Sequence, residues 1–353
     1  MKKRLLFLVM LMLVGLLVVA CGNREYDEPA VTEAPEVTTE TEGTTEPYVA
    51  EDTRQGGTLR IATPRGPAAL GMLWLMEAGQ AGWEPRNTYE FTLVGAPDEI
   101  PPMLVQGAID IAAVPPNMAS ILFNNPNLDV QVVALTTMGV LHIVDATGTI
   151  NSIEDLRGRT IYASGGGGTP EFILNHVLIG NGLTPGVDVT INFRPEHTEI
   201  AALIEGGLAE IAMLPEPFAT TTVNRIDGLD YALDLTVEWG NISPDAGLVM
   251  TAVVARREVI ENNPEAIDLF LEELERSIRF SQQNVDEAAE LAVSHDIIPA
   301  APVARLAIPR SNVTFIEGTQ MQAYLHGVLE VFYNQLPQSV GGQLPDEAFY
   351  FIR

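Results

Sequence analysis

The feature that most constrains the fold is an internal repeat: residues 89–120 recur at residues 189–220 with a constant offset of 100 and no gap. Seven of the 32 aligned positions are identical, among them Ile111/Ile211. Each copy reads as an apolar strand, a helix ending at glycine, a second strand and a Pro-rich turn into another helix. A strand, a crossover helix and a parallel strand form a βαβ unit. The repeat therefore predicts two similar α/β lobes.

The repeat extends upstream to two turns that follow short strands. Residues 58–63 read as a strand entering the turn at 64–67, and residues 160–164 read as one entering the turn at 165–170. Ligands of open α/β sheets bind beyond the carboxyl ends of the strands, so we expect the two lobes to share one ligand between these turns. Thr169 is predicted to cap the helix after the second turn.

The N-terminus has the pattern of an export signal. Basic residues 2–4 precede an apolar run from 5 to 20, which is short for a membrane span. The run ends at Val18-Val19-Ala20-Cys21, which resembles the lipobox of bacterial lipoproteins. We expect residues 1–20 to be removed and Cys21 to be lipidated, which would anchor the protein at the extracytoplasmic face of the cell membrane. An uncleaved helical anchor remains the alternative.

The next segment, residues 21–56, is acidic, rich in Thr, Pro and Glu, and poor in large apolar side chains, which predicts a disordered tether. Without residues 1–20 the chain has 16 arginines against 47 acidic residues and no lysine. Such a charge argues against a nucleic-acid partner or an anionic lipid surface. Cys21 is the only cysteine, which excludes disulfides.

Several stretches together resemble the substrate-binding lipoproteins of bacterial ABC importers, in the group of nitrate, sulfonate, taurine and thiamine-precursor binders. These stretches are residues 61–64, 95–100, 104–114, 155–161, 165–168 and 214–218. The resemblance implies a type II periplasmic-binding-protein fold with two α/β lobes joined by a two-crossing hinge. Lobe 1 would comprise 57–140 plus 251–353, and lobe 2 would comprise 141–250. The implied partners are a small solute, an ABC permease and its ATPase, and we expect a monomer.

The local pattern of the C-terminal part agrees with this expectation. Residues 248–255 read as a strand returning to lobe 1. Three amphipathic helices are predicted over 264–280, 285–295 and 318–335.

The glycine run is the strongest local candidate for ligand contact. Ser164, Gly166, Gly167, Gly168 and Thr169 stand just before a predicted helix. Glycines permit positive φ and close backbone approach, and a helix N-terminus favours an anion, so a sulfonate, nitrate or carboxylate is a reasonable guest. A flexible turn without a ligand is the alternative. The run lacks the Gly-Lys-Ser/Thr of a nucleotide-binding P-loop.

Arg65 occupies the matching turn of lobe 1 between Pro64 and Gly66, where it could clamp an anion in a bidentate pair. A surface arginine paired with a neighbouring acid is the alternative. The Glu216 carboxylate would favour an amino group on the ligand, and Trp239, predicted in a loop, could stack on it. The remaining candidates are Ala96, Pro97, Pro116, Asn117, Thr137 and His197.

The sequence offers little catalytic machinery. No lysine follows residue 3, so Schiff-base chemistry has no amine, and the five histidines lack metal-binding spacing. We expect no cofactor, no metal and no enzymatic activity. The predicted function is capture of a small polar or anionic solute and its delivery to a permease. A lipoprotein of the same fold that senses the ligand for a signalling partner is one alternative, and an extracellular enzyme is another.

Overall fold

The computed structural model describes residues 52–77 and 84–353, which contain two β-sheets surrounded by helices. The predicted signal segment, Cys21 and the tether up to residue 51 lie outside the described residues. The eleven strands are β1 (Thr58–Pro64), β2 (Thr88–Val94), β3 (Ile111–Val114), β4 (Val130–Met138), β5 (Leu141–Asp145), β6 (Thr160–Ala163), β7 (Thr190–Phe193), β8 (Ile211–Pro215), β9 (Asp230–Asp234), β10 (Val249–Arg256) and β11 (Val313–Ile316).

Thirteen α-helices are described, together with short 3₁₀ turns. They are α1 (Pro67–Leu70), α2 (Leu73–Met76), α3 (Ile100–Val105), α4 (Pro116–Phe123), α5 (Thr169–Gly180), α6 (His197–Glu205), α7 (Phe218–Arg225), α8 (Leu235–Ile242), α9 (Arg257–Asn262), α10 (Pro264–Gln283), α11 (Val285–Ser294), α12 (Ala301–Arg310) and α13 (Gly318–Gln335).

The two sheets have the same local topology. The first has the strand order β11-β4-β10-β3-β1-β2 and the second has the order β7-β6-β8-β5-β9. In each, three parallel strands (β2-β1-β3 and β7-β6-β8) are followed by an antiparallel one, β10 or β5. The chain passes from the first sheet to the second between β4 and β5 and returns between α8 and β10. This topology confirms the predicted mixed α/β fold.

The predicted repeat is confirmed down to the pairing register. Ile61 lies opposite Ile111 in the first sheet, and Ile161 lies opposite Ile211 in the second. The two pairs are offset by 100 residues, as are the repeats in the sequence. Because a one-residue slip would move every side chain to the other face of the sheet, the shared register places the same apolar positions in both cores.

One apolar core continues from the first sheet into the second. Its buried side chains include Leu141 and Ile143 of β5 together with Val249 of β10 and Phe332 of α13. The opposite face of the first sheet packs on the C-terminal helices in a separate cluster that contains Phe270. Burial on both faces explains why β3 is apolar at all four positions instead of alternating.

The crossing from β4 to β5 requires close approach of the backbone to α8. A Cβ at Gly139 would overlap the Thr236 side chain and lie 2.8 Å from Leu248. Glycine is therefore the residue that lets the crossing pass α8. The Asn312 side chain donates to the Gly139 carbonyl, which ties the crossing to the turn before β11.

The predicted C-terminal strand and helices agree with the structure within a few residues. The predicted N-cap of α5, in the middle of the chain, does not. Thr169 is the first residue of α5 and Gly168 is its N-cap, with no side-chain cap. The prediction that Thr169 caps this helix is therefore wrong, because its hydroxyl is used in another contact. Among residues 52–77 and 84–353, no helix combines the length and the apolarity needed to cross a bilayer.

Candidate functional site

A pocket of about 150 Å³ lies where the parallel strands of the first sheet end and the chain crosses to the second sheet. Ten of its thirteen lining side chains are apolar, and the other three are Arg65, Thr137 and Thr251. It lies beyond the carboxyl ends of β1 and β3, as expected for ligands of open α/β sheets. The predicted residues that line it are Pro64, Arg65, Pro97 and Thr137.

Local backbone structure fixes the position of Arg65. Its amide donates to the Val94 carbonyl at 3.1 Å, which joins the turn after β1 to the end of β2. Gly66 caps α1, and Pro67 fills the first helical position, where its missing N–H is not needed. The Arg65 side chain is exposed at the pocket rim. Within the described ranges no carboxylate forms an ion pair with the Arg65 guanidinium. The geometry therefore does not support the alternative in which Arg65 pairs with a neighbouring acidic residue at the surface.

Thr137 lies deep in the pocket wall on β4. The side chain is fully buried, and its Oγ1 has no hydrogen-bond partner among the described residues. A buried hydroxyl without a partner costs free energy, about 1–3 kcal/mol, and rotation about χ1 that turns Oγ1 towards the pocket would let a polar group of a solute supply the partner.

The glycine run has the predicted backbone freedom, but one of its amides is already used. Gly165 and Gly167 have φ of 78° and 77°, which favour glycine. The Gly167 amide donates to the Glu171 carboxylate at 2.6 Å. Glu171 lies in the first turn of α5, where a carboxylate is stabilised by the helix dipole. The expectation of a free anion site at Gly167 is therefore wrong, because an internal carboxylate occupies that amide.

His197 forms a compact cluster with two neighbours on the second sheet. Its Nδ1 lies 2.6 Å from Ser164 Oγ, and its ring packs on Phe218 at 4.3 Å between centroids. Burial lowers the pKa of His197 to about 4. The imidazole is therefore neutral at pH 7 and serves as a hydrogen-bonding group without charge.

Substitution of His197 should flatten the pH dependence of stability. Its folded pKa of about 4 lies below the unfolded value near 6.5, so the folded state binds fewer protons between these values. The stability associated with neutral His197 is complete above pH 6.5 and is lost as the pH falls towards 4, by at most about 3 kcal/mol. We expect the loss in unfolding free energy from pH 7 to pH 4, measured by urea titration, to be smaller in His197→Gln. Equal losses in both proteins would contradict the buried, neutral imidazole.

Two predicted ligand contacts instead bind each other. Thr169 Oγ1 of α5 donates to Asn117 Oδ1 of α4 at 2.9 Å, which links a helix of the second sheet to one of the first. Pro116, at the start of α4, is buried beside Asn117. This hydrogen bond connects the turn after β3 of the first sheet with the turn after β6 of the second.

Glu216 does not face a ligand. Its side chain is fully buried, and its carboxylate accepts from the Tyr231 hydroxyl at 2.7 Å and from the Thr220 amide at 3.3 Å. His142 Nε2 lies 3.8 Å from the same carboxylate. The expectation that Glu216 contacts an amino group of the ligand is wrong, because internal donors surround it.

Trp239 was predicted in a loop, but it lies in α8 and is 1% exposed. Its Nε1 donates to the Ala246 carbonyl at 2.6 Å, and its ring packs on His176 at 4.7 Å. The prediction of a stacking surface for the ligand is wrong, because the indole fills the core beside the return to the first sheet.

Ala96 starts the turn after β2, where its amide donates to the Glu99 side chain at 2.8 Å.

Sequence analysis missed several residues that line the pocket, among them Val140, Pro215, Met250 and Thr251. Pro215 could have been found, because it is the repeat equivalent of Pro115 and both line the pocket. The two residues of β10 had no signal, since they belong to a return strand outside the repeat. No group of metal-binding side chains occurs within 52–77 and 84–353.

The family model described as "Menaquinone biosynthesis" matches residues 69–307, which is more than half of the chain. The chain belongs to this menaquinone biosynthesis family. The match spans the segment from α1 to α12 and so includes all of the second sheet. No curated protein matches the sequence.

Several solved structures are similar in fold to this family member, and their printed names include binding proteins. One is an ABC transporter protein from Parabacteroides distasonis, with a TM-score of 0.71 and 22% identity over 83% of this chain and 98% of that one. Another is the periplasmic aliphatic sulphonate-binding protein of Escherichia coli, with a TM-score of 0.65 and 17% identity. The match covers 82% of this chain and 96% of that one. The periplasmic nitrate-binding protein of Synechocystis has a TM-score of 0.53 and 16% identity, and the match covers 75% of this chain and 74% of that one. These likenesses establish the type II periplasmic-binding fold.

Proposed function

We propose that this protein captures a small organic or anionic solute between its two sheets and delivers it to an ABC permease and its ATPase. The observation that carries the proposal is the pocket at the strand ends, which combines an apolar wall with an arginine that forms no ion pair with any described carboxylate. Solved binding proteins of similar fold, for aliphatic sulphonate and for nitrate, support it. The proposal includes export, a lipid on Cys21 and a position at the extracytoplasmic face of the membrane.

The two lobes of the proposed mechanism are residues 57–140 plus 251–353 and residues 141–250. Two crossings would let them rotate as a hinge around the solute. Three contacts between the sheets support a closed form. Besides the bond between Thr169 and Asn117, the Gln335 side chain donates to the Phe172 carbonyl at 2.8 Å, and Arg310 lies over the Tyr231 ring at 5.0 Å.

We expect the solute to favour the closed form. Mass spectrometry identifies the compounds that copurify with the full-length protein. Each compound is then added to protein from which it has been removed, and X-ray scattering measures the radius of gyration before and after the addition. The radius should fall on addition. Thr169→Val removes the hydroxyl that bonds Asn117 and should weaken solute affinity by about 2–10-fold, since one hydrogen bond contributes about 0.5–1.5 kcal/mol. An exposed control, Thr198→Val, should change nothing.

Scattering profiles that do not change with a confirmed solute, or solute bound away from the pocket, would contradict the hinge proposal. Equal affinity of Thr169→Val and the parent protein would remove the Thr169–Asn117 bond from the closing mechanism while leaving the solute-binding role intact.

A second candidate function is an enzyme that acts on the bound compound. Two observations favour it: the family is described by a biosynthetic pathway, and His197 and Ser164 form a neutral hydrogen-bonded pair. Against it, no carboxylate orients His197 within the described ranges, and a pKa of about 4 makes it a weak base at neutral pH. The copurified compound distinguishes the two functions, because a binding protein returns it unchanged after long incubation, whereas an enzyme converts it.

A further inference from the structure

We propose that the solute is an organic monoanion, whose charged group pairs with Arg65 at the rim and whose apolar body, about the size of one six-membered ring, fills the pocket. The inference rests on the proposed solute-binding function and names the chemical class that this pocket accepts. Four properties of the described residues carry it: the wall, the volume, the cation and the absence of acids.

The wall and the volume select an apolar body. Pro97, Val114, Val140 and Met250 are among the ten apolar side chains that line about 150 Å³ of space. An apolar protein cavity of this volume is known to hold a benzene molecule. A small inorganic oxyanion would lose its hydration here and find few donors to replace it, so the wall disfavours nitrate or sulfate.

Arg65 selects a negative charge at the rim. The chain is strongly acidic, and most of the other described arginines pair with a carboxylate, for example Arg60 with Asp110 at 2.6 Å and Arg157 with Asp188 at 2.6 Å. Arg65 forms no such pair with any described residue and is the one cation among the pocket side chains. Its guanidinium can donate two parallel hydrogen bonds to a carboxylate or a sulfonate.

The charged residues nearby restrict the solute to a single charge. No acidic side chain lines the pocket, so an ammonium group would have no partner. Glu216, which follows the lining residue Pro215, is buried with Tyr231 and Thr220 and is not available. Arg65 is the one cationic side chain that lines the pocket, so a second anionic group on the solute would find no cation there. These features disfavour a zwitterion and a dianion.

Thr137 adds one polar requirement inside the apolar wall. Its hydroxyl is fully buried and has no partner among the described residues, and it lies in the same pocket as Arg65. A hydroxyl substituent on the ring would supply that partner once rotation about χ1 turns Thr137 Oγ1 towards the pocket. We therefore expect a hydroxylated ring to bind better than the plain ring, and Thr137→Val to remove this preference.

The test uses the full-length chain in lipid nanodiscs and isothermal titration calorimetry. The probes are benzenesulfonate, 4-hydroxybenzenesulfonate, methanesulfonate, taurine and nitrate. We expect benzenesulfonate to bind at least about 10-fold more tightly than methanesulfonate, because only the first buries a ring. Arg65→Gln should weaken benzenesulfonate binding about 10-fold or more. Its matched control, Arg279→Gln on the exposed face of α10, should not.

A second variant tests the pocket itself. Ala68 lines it, so Ala68→Leu should fill part of the space and weaken benzenesulfonate binding, while Ala108→Leu at an exposed position should have no effect. Thermal melting of each variant establishes that the protein is folded. Thr137→Val should bind the two aromatic sulfonates equally.

The outcomes separate this inference from the proposed function. If nitrate, taurine or methanesulfonate binds as tightly as benzenesulfonate and Arg65→Gln weakens it, the solute-binding function stands and the organic monoanion is wrong. If benzenesulfonate binds equally to Arg65→Gln and Ala68→Leu, the pocket assignment is overturned. If none of the probes binds, the inference is wrong, and the copurified compound decides the proposed function on its own.

Discussion

Trp239→Ala is expected to lower the free energy of unfolding by about 3–5 kcal/mol, because truncation of a fully buried aromatic side chain leaves a cavity. The melting temperature should fall by roughly 5–8 °C for a folded body of this size. Denaturant titration of the two proteins provides the measurement. Trp239→Phe is the matched control, since it retains an aromatic ring while losing the bond from Nε1 to Ala246 and part of the indole volume, and it should cost about 1–2 kcal/mol.

This result distinguishes the two roles considered for Trp239. A core residue affects stability first and affects solute affinity only through unfolding. If Trp239→Ala retained its melting temperature but lost solute affinity, the indole would line the binding site, and its assignment to the core would be wrong.

Glu216→Ala is expected to destabilise the protein by about 2–4 kcal/mol. The substitution leaves the Tyr231 hydroxyl and the Thr220 amide without their acceptor and creates a cavity in a region with no solvent access. Glu210→Ala is the control, because Glu210 is 66% exposed and its ion pair with Arg159 is a surface contact worth less than about 1 kcal/mol. Denaturant titration again measures both changes.

Glu216→Gln refines the same prediction. The amide can still accept from Tyr231, so the loss should be smaller than for alanine. If Glu216→Ala were as stable as the parent protein and had lost affinity for an amine-bearing solute, Glu216 would be a ligand contact, as the sequence first indicated. The buried position and two internal donors argue for the structural role.

The repeat was predictable because its signal is distributed over many positions. Apolar residues with the spacing of strands and helices, glycines at helix ends and prolines after strands occur twice at the same offset. Each of these patterns reflects a local constraint on the backbone, so it survives in the sequence of a single chain. The matching registers at Ile61/Ile111 and Ile161/Ile211 follow directly from it.

The candidate site was predictable only as a set of turns. Sequence analysis located Arg65 and Pro97 because they follow strands, and both line the pocket. It could not show that Glu171 would occupy the Gly167 amide, since a carboxylate four residues away can also point to solvent. Nor could it show that Thr169 would bond Asn117, because these residues come from different sheets.

The sequence by itself determined the α/β class, the duplicated βαβ units and the turns at the strand ends, since periodicity, glycine and proline act over a few neighbouring residues. Only the tertiary structure decided that Glu216 and Trp239 are buried and that Arg65 has no acidic partner among residues 52–77 and 84–353. Burial and ion pairing depend on segments that are distant in the chain. The physical reason is that the same polar or aromatic side chain can serve either the core or a ligand, and the surrounding packing selects between them.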